Sequence, residues 1–279
     1  MAEARYAVLI GNSSYPDEPR LSRLRCPEND VAGIRDRLTF AKNGLFDPAH
    51  VTVLTNAQHY EVLQTIERTV RQATKSDLLL LYYSGHGQCD EAGRLHLAAL
   101  NTRLDTLGST SVPIDQVKSY IDLARTNRIV LILDCCYSGA VGGAFMKGGV
   151  DEELQQVSRG QGIYILTASS AIQAAQEKEG DQYSLLTKHL IDGLSEAEAD
   201  VDGDGFISMD ELYNYVQVNV RRDGAQQPVK FAVNVQGDLL IARSGKLPRE
   251  ERRKRIRSYL HELAAKGHIT DLLWEQTRS

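Results

Sequence analysis

Two short stretches of this chain carry side chains able to attack a carbonyl, "YYSGHG" at 82–87 and "LILDCCYSG" at 131–139. Each closes an apolar run that reads as a buried strand, so His86 and Cys136 should emerge at one edge of a sheet. Reactive groups in open α/β sheets gather just past the carboxyl ends of the strands. A thiol of ordinary pKa is mostly protonated at neutral pH and needs a base or electropositive surroundings. A histidine leaving the neighbouring strand supplies that base. Gly85, Gly87 and Gly139 leave room for a substrate backbone to approach. The backbone N–H groups of Gly87 and Cys136 are then the donors for an oxyanion. The bland alternative, a core cysteine and a loop histidine that never meet, fits two strand-end positions poorly.

The elements that must position these residues alternate in type. Runs at 5–12, 50–56, 77–85, 128–136 and 162–169 read as strands, most of them continuously apolar as in strands buried on both faces. Between them, 28–39, 59–74 and 114–125 place apolar residues at helical spacing. The pattern predicts βαβ units, a mostly parallel central sheet and helices on both faces. A helix at 183–194 follows, and 230–243 supplies one more strand, or a hairpin turning at Gly237 and Asp238. Residues 139–162 carry seven glycines and read as a loop. The division expected is a catalytic domain over 1–245 and a helical extension over 246–279.

Composition narrows the classes. A net charge of −5 argues against a nucleic-acid binder, and the lack of any run of 18 apolar residues argues against a membrane span. The short, acidic start "MAEARYAVLI" does not read as a signal peptide, so a cytoplasmic location is expected. Cys26, Cys89, Cys135 and Cys136 form no CxxC pair, which favours free thiols over zinc or disulfides.

The paired motifs resemble those of the caspase-like cysteine peptidases, specifically the metacaspase and bacterial orthocaspase branch. There the histidine sits in S-G-H-G and the nucleophile in D-x-C-x-S-G, and the 50 residues from His86 to Cys136 match the usual separation. The resemblance runs from about Tyr6 to Ala242 and implies a caspase-like three-layer fold, a Cys-His dyad and protein substrates. It also decides between the adjacent cysteines: Cys136 is the nucleophile and Cys135 a buried packing residue. Metacaspases cleave after Arg or Lys, whereas caspases proper cleave after Asp. Asp134 and Ser84 each precede a dyad member by two positions and so share its side of the strand. Asp30, in "LRCPENDV" at 24–31, matches the metacaspase aspartate of the same pocket. Carboxylates there favour a guanidinium or ammonium. Such proteases commonly mature by cutting between the nucleophile strand and the next. Lys147 and Arg159, the basic residues of 139–162, are the self-cleavage candidates. The setting implied is regulated proteolysis in cell death or antiviral defence.

A second chemistry lies at 200–211, "DVDGDGFISMDE", which fits an EF-hand loop for Ca2+. Asp200, Asp202, Asp204 and Glu211 would supply carboxylates, Phe206 its carbonyl, and Ser208 its hydroxyl or a water. The competing reading is an acidic turn that stays empty. In the tail, "REERRKRIR" at 249–257 holds six basic side chains, with Ile256, Leu260 and Leu263 following at helical spacing. It reads as an amphipathic helix docked with its basic face solvated, or as a surface for a regulatory partner. From a different class, a catalytically idle calcium-binding scaffold or recruitment module on the same fold is the alternative to a protease.

Overall fold

The computed structural model describes residues 3–135, 137–138, 162–168, 180–195, 197–223, 227–235, 237–246 and 249–265. The first half runs β1 Arg5–Gly11, α1 Pro27–Thr39, β2 Val51–Thr55, α2 His59–Gln72 and β3 Leu78–Ser84. Short elements follow: β4 Gly87–Cys89, β5 Leu95–Leu97, α3 Leu107–Thr110, β6 Val112–Pro113 and α4 Ile114–Ile121. Then come β7 Ile129–Asp134, β8 Tyr137–Ser138, β9 Ile163–Thr167 and α5 Leu185–Ser195. The chain continues through β10 Phe206–Ser208, α6 Met209–Asp223, β11 Val229–Val233, β12 Leu240–Arg243 and α7 Arg249–Ala265.

Six strands form a central sheet in the order β11-β9-β7-β3-β1-β2. Neighbours are parallel except β11, which runs antiparallel to β9. Strand β3 shows why its sequence is an unbroken apolar run. Alternate side chains point to opposite faces, and here both faces are covered. Leu78, Leu80 and Tyr82 enter one core, which α1, α5 and α6 close with Val31, Leu190 and Val216. Leu79, Leu81 and Tyr83 enter the other, closed by α2 and α4 with Ile66 and Val117. The expected three-layer α/β architecture is the one found.

The strand order reverses between β1 and β3, because the chain steps from β1 out to β2 and then crosses back to β3. Crevices at such switch points are where α/β sheets bind ligands. Gly11 is needed at this edge: a Cβ there would stand 2.3 Å from the Pro27 carbonyl oxygen. Its absence lets the first turn of α1 pack down onto the end of β1. Proline suits that first helical position, where no N–H is required.

Several details differ from the sequence reading. Segment 230–243 is not a hairpin, since β11 joins the central sheet while β12 pairs with β10. A second sheet of short strands, β6-β5-β4-β8, lies beyond the carboxyl ends of β3 and β7, too brief to give a periodic signal. Helix α7 spans Arg249–Ala265. Ile256 is 58% and Tyr259 61% exposed. Glu250, Arg253, Lys254 and Arg257 are exposed beside them, with Glu250 and Lys254 at the i, i+4 spacing that supports a solvated helix. Cys136 and the stretch holding Lys147 and Arg159 lie outside the described residues. No described helix is long and apolar enough to cross a membrane.

Leu80 is 1% exposed at the centre of the sheet. Leu80→Ala should therefore cost about 2–5 kcal/mol of unfolding free energy, read from urea denaturation curves.

Candidate active site

The carboxyl ends of β3 and β7 meet in register, with Ser84 directly opposite Asp134. Beyond them the chain turns through Gly85 and His86 into β4, whose Gly87 pairs in parallel with Tyr137 of β8. The residues before and after Cys136 thus flank the Ser84–Gly87 turn. Cys135 is buried in the core shared with α2 and α4.

His86 is held on three sides. Its backbone N–H donates to the Tyr15 hydroxyl at 3.1 Å, and the two rings are tilted together with centroids 5.1 Å apart. Its backbone carbonyl accepts from Ala98 N and lies 2.8 Å from the Tyr83 hydroxyl. Its ring Nε2 lies 2.8 Å from the Ser22 carbonyl oxygen. A carbonyl can only accept, so the proton must sit on Nε2. The neutral ring then presents Nδ1 as its basic atom. Burial pushes the Tyr83 phenol well above its ordinary pKa, which keeps it a donor.

A second group of side chains converges below the turn. Asp30, on the first turn of α1, is fully buried, where a helix N-terminal carboxylate could equally have been solvated. Its Oδ2 accepts from Ser84 Oγ at 2.8 Å and its Oδ1 from Ser184 N at 3.0 Å. Asp134 Oδ2 accepts from Thr187 Oγ1 at 2.6 Å and from Ser184 Oγ. Ser184 also caps α5, its hydroxyl accepting from Thr187 N at 3.1 Å. One serine therefore starts a helix and ties two carboxylates together. The Tyr82 hydroxyl completes the group at 2.5 Å from Thr187 Oγ1. Burial first, then the nearby Asp30 and Asp134 charges, hold that phenol well above its usual pKa. Asp30, Ser84 and Asp134 are thus brought together as expected, whereas Ser22, Tyr15, Ser184 and Thr187 were not foreseen.

The residues of 200–211 form a wrapped loop. The carboxylate oxygens of Asp200, Asp202 and Asp204 lie within 4.8 Å of one another. Gly203 and Gly205 have φ of 76° and 94°, left-handed values that suit glycine. Asp202 and Asp204 each accept a backbone N–H two residues on, at 2.9 and 2.7 Å. Glu211 accepts Val201 N at 3.0 Å through one oxygen and Ser208 N at 3.0 Å through the other. Burial, reinforced by Asp202, Glu211 and Asp200, pushes the Asp204 carboxyl upward. A cavity of about 260 Å³ opens on Asp202, Asp204, Ser208, Glu211 and Asp238. A set of hard oxygen donors around such a space fits a divalent cation of calcium's class.

A family model described as the caspase domain matches residues 4–240. The chain belongs to the caspase-domain family of cysteine peptidases. Its fold is similar to the crystal structure of protein GSU0716 from Geobacter sulfurreducens, with a TM-score of 0.57 at 17% identity over 84% of this chain and 95% of that one. Among curated proteins none matches significantly.

In this caspase-domain chain the Tyr15 hydroxyl holds the backbone N–H of His86. Tyr15→Phe keeps the ring but leaves that N–H without its acceptor. We expect kcat on a peptide substrate to fall about tenfold, one hydrogen bond's worth, with KM little changed.

Proposed function

We propose that this caspase-domain peptidase is an endopeptidase that cuts protein chains after arginine or lysine, with Cys136 as nucleophile and His86 as general base and then acid. The observation that carries the specificity is the pair of buried carboxylates, Asp30 and Asp134, joined through Ser184 beside the His86 turn. Burying two negative charges side by side is costly without hydrogen bonds and a cationic partner. A substrate guanidinium or ammonium beside them is attracted by both charges, and an aspartate side chain would add a third negative charge.

The dyad reading follows from the tautomer of His86. Nδ1 takes the Cys136 thiol proton as sulfur attacks the scissile carbonyl, while the Ser22 carbonyl steadies the imidazolium through Nε2–H. The oxyanion is received by the backbone N–H groups of Gly87 and Cys136. The carbon–nitrogen bond then breaks as His86 returns the proton to the leaving amine, giving a thioester. Water, deprotonated by His86, adds to the thioester, and the carbon–sulfur bond breaks to release the acid and the thiol.

We assign Asp200, Asp202, Asp204, Phe206, Ser208 and Glu211 to a calcium site that regulates cleavage. Helix α5 supports this link: its cap, Ser184, touches both pocket carboxylates, and its far end leads into the loop. The exposed basic helix α7 is the surface offered to a regulatory partner. The setting, cell death or defence, is proposed from the resemblance alone. Self-cleavage after Lys147 or Arg159 accompanies a basic preference.

Fluorogenic peptides test the chemistry. Arg- and Lys-P1 peptides should be cut and Asp-P1 peptides left intact. Cys136→Ala should abolish cleavage, and His86→Ala should lower it by roughly 10²–10⁴. Ser184→Ala should raise KM for Arg-P1 peptides by about tenfold or more, since a hydrogen bond to a charged group is lost. Efficient turnover of an Asp-P1 peptide overturns the specificity. An active chain indifferent to Cys136→Ala overturns the dyad.

Calcium is tested separately. Calorimetry should find one site that Glu211→Gln weakens strongly and that magnesium, which demands tight octahedral geometry, fills poorly. A chelator should lower cleavage of an Arg-P1 peptide. Binding without any change in rate would make the site purely structural.

A further inference from the structure

The first residue of the acidic loop is gripped from outside it. Asp200 is 5% exposed, and its Oδ2 accepts the Ser244 hydroxyl at 2.6 Å and Gly205 N at 3.2 Å. Ser244 is 4% exposed and lies just past the end of β12, 44 residues further along the chain. Its backbone N–H donates to the Gly205 carbonyl at 3.0 Å. Asp200, Gly205 and Ser244 therefore close a hydrogen-bonded ring around the tight turn of the loop. Next to that ring, β10 pairs antiparallel with β12, Phe206 opposite Arg243 and Ile207 opposite Ala242. EF-hand loops ordinarily brace one another, and here β12 with Ser244 braces a single loop.

We infer that Ser244 is a positioning residue of the cation site, a member outside the twelve-residue motif that orients the first ligand. The inference rests on the calcium reading of 200–211. Each carboxylate oxygen has two lone-pair sites. Oδ2 of Asp200 fills both, with Ser244 and Gly205. Oδ1 fills one, with Gly203 N at 2.6 Å, and keeps the other for a cation. Ser244 thus decides which oxygen faces the metal and prevents the carboxylate from rotating. It also draws electron density from a group crowded by Asp202, Asp204 and Glu211. Lys246 N donates to the same hydroxyl at 3.2 Å, so the contact continues into the segment that leads to α7.

Outer partners of metal ligands typically govern affinity by 10- to 100-fold. The test titrates calcium alone into full-length chains carrying Cys136→Ala, which removes self-cleavage, by calorimetry. The Ser244→Ala chain should bind calcium about 10- to 100-fold more weakly than its Ser244 parent. The calcium-induced rise in Tm, measured against each chain's own melting point in chelator, should shrink in step. That comparison separates a weakened site from a weakened fold. Equal affinity with and without the Ser244 hydroxyl overturns the inference while leaving the calcium site standing, provided Glu211→Gln still weakens binding. No binding by the parent at millimolar calcium overturns both.

Discussion

Asp30 and Asp134 stand at the base of the catalytic edge, and their shared hydrogen bonds through Ser184 constrain everything around them. Two carboxylates out of water would separate or protonate unless their lone pairs were occupied. Donors include Ser84 on β3, Ser184 at the cap of α5 and Thr187 within that helix. Satisfying them fixes the first turn of α1 against β3, and α5 against β7. Gly11 permits the approach of α1, and the paired register of Ser84 and Asp134 sets the spacing. The His86 turn starts one residue later. Its position is therefore inherited from the acidic pair rather than chosen independently.

Much of this arrangement was legible in the sequence, because its signals are local. Continuous apolar runs gave β1, β3, β7 and β9, since a strand covered on both faces has no polar side to show. The strand ends put Ser84 and Asp134 side by side, as their paired register shows. What could not be read depends on contacts between distant segments. Ser184 is visible as a helix-capping serine but not as a pocket residue, since its partners lie 154 and 50 residues earlier in the chain. Ser22 acts through its carbonyl, which carries no side-chain signature at all. Tyr15 looked like any loop tyrosine. The strands of the small edge sheet are two or three residues long, below the length at which alternation can be recognised.

The acidic loop shows the same division. Its carboxylate spacing and its two left-handed glycines are written in twelve consecutive residues. Its brace is not, because β12 comes later and reads as an ordinary strand. Helix α5 then links this loop to the acidic pair through one rigid element, with Ser184 as its first contact and Asp200 a few residues past its end.

The long span of the Asp30–Ser184 contact also bears on how such a protease is made. A ribosome releases the His86 turn and the cysteine pair well before α5. Until Ser184 has emerged, the link from Asp30 to Asp134 through that residue is missing. The acidic pair is thus completed only when α5 is made, so this edge of the sheet takes its final form after β3 and β7, which carry it, have been synthesised.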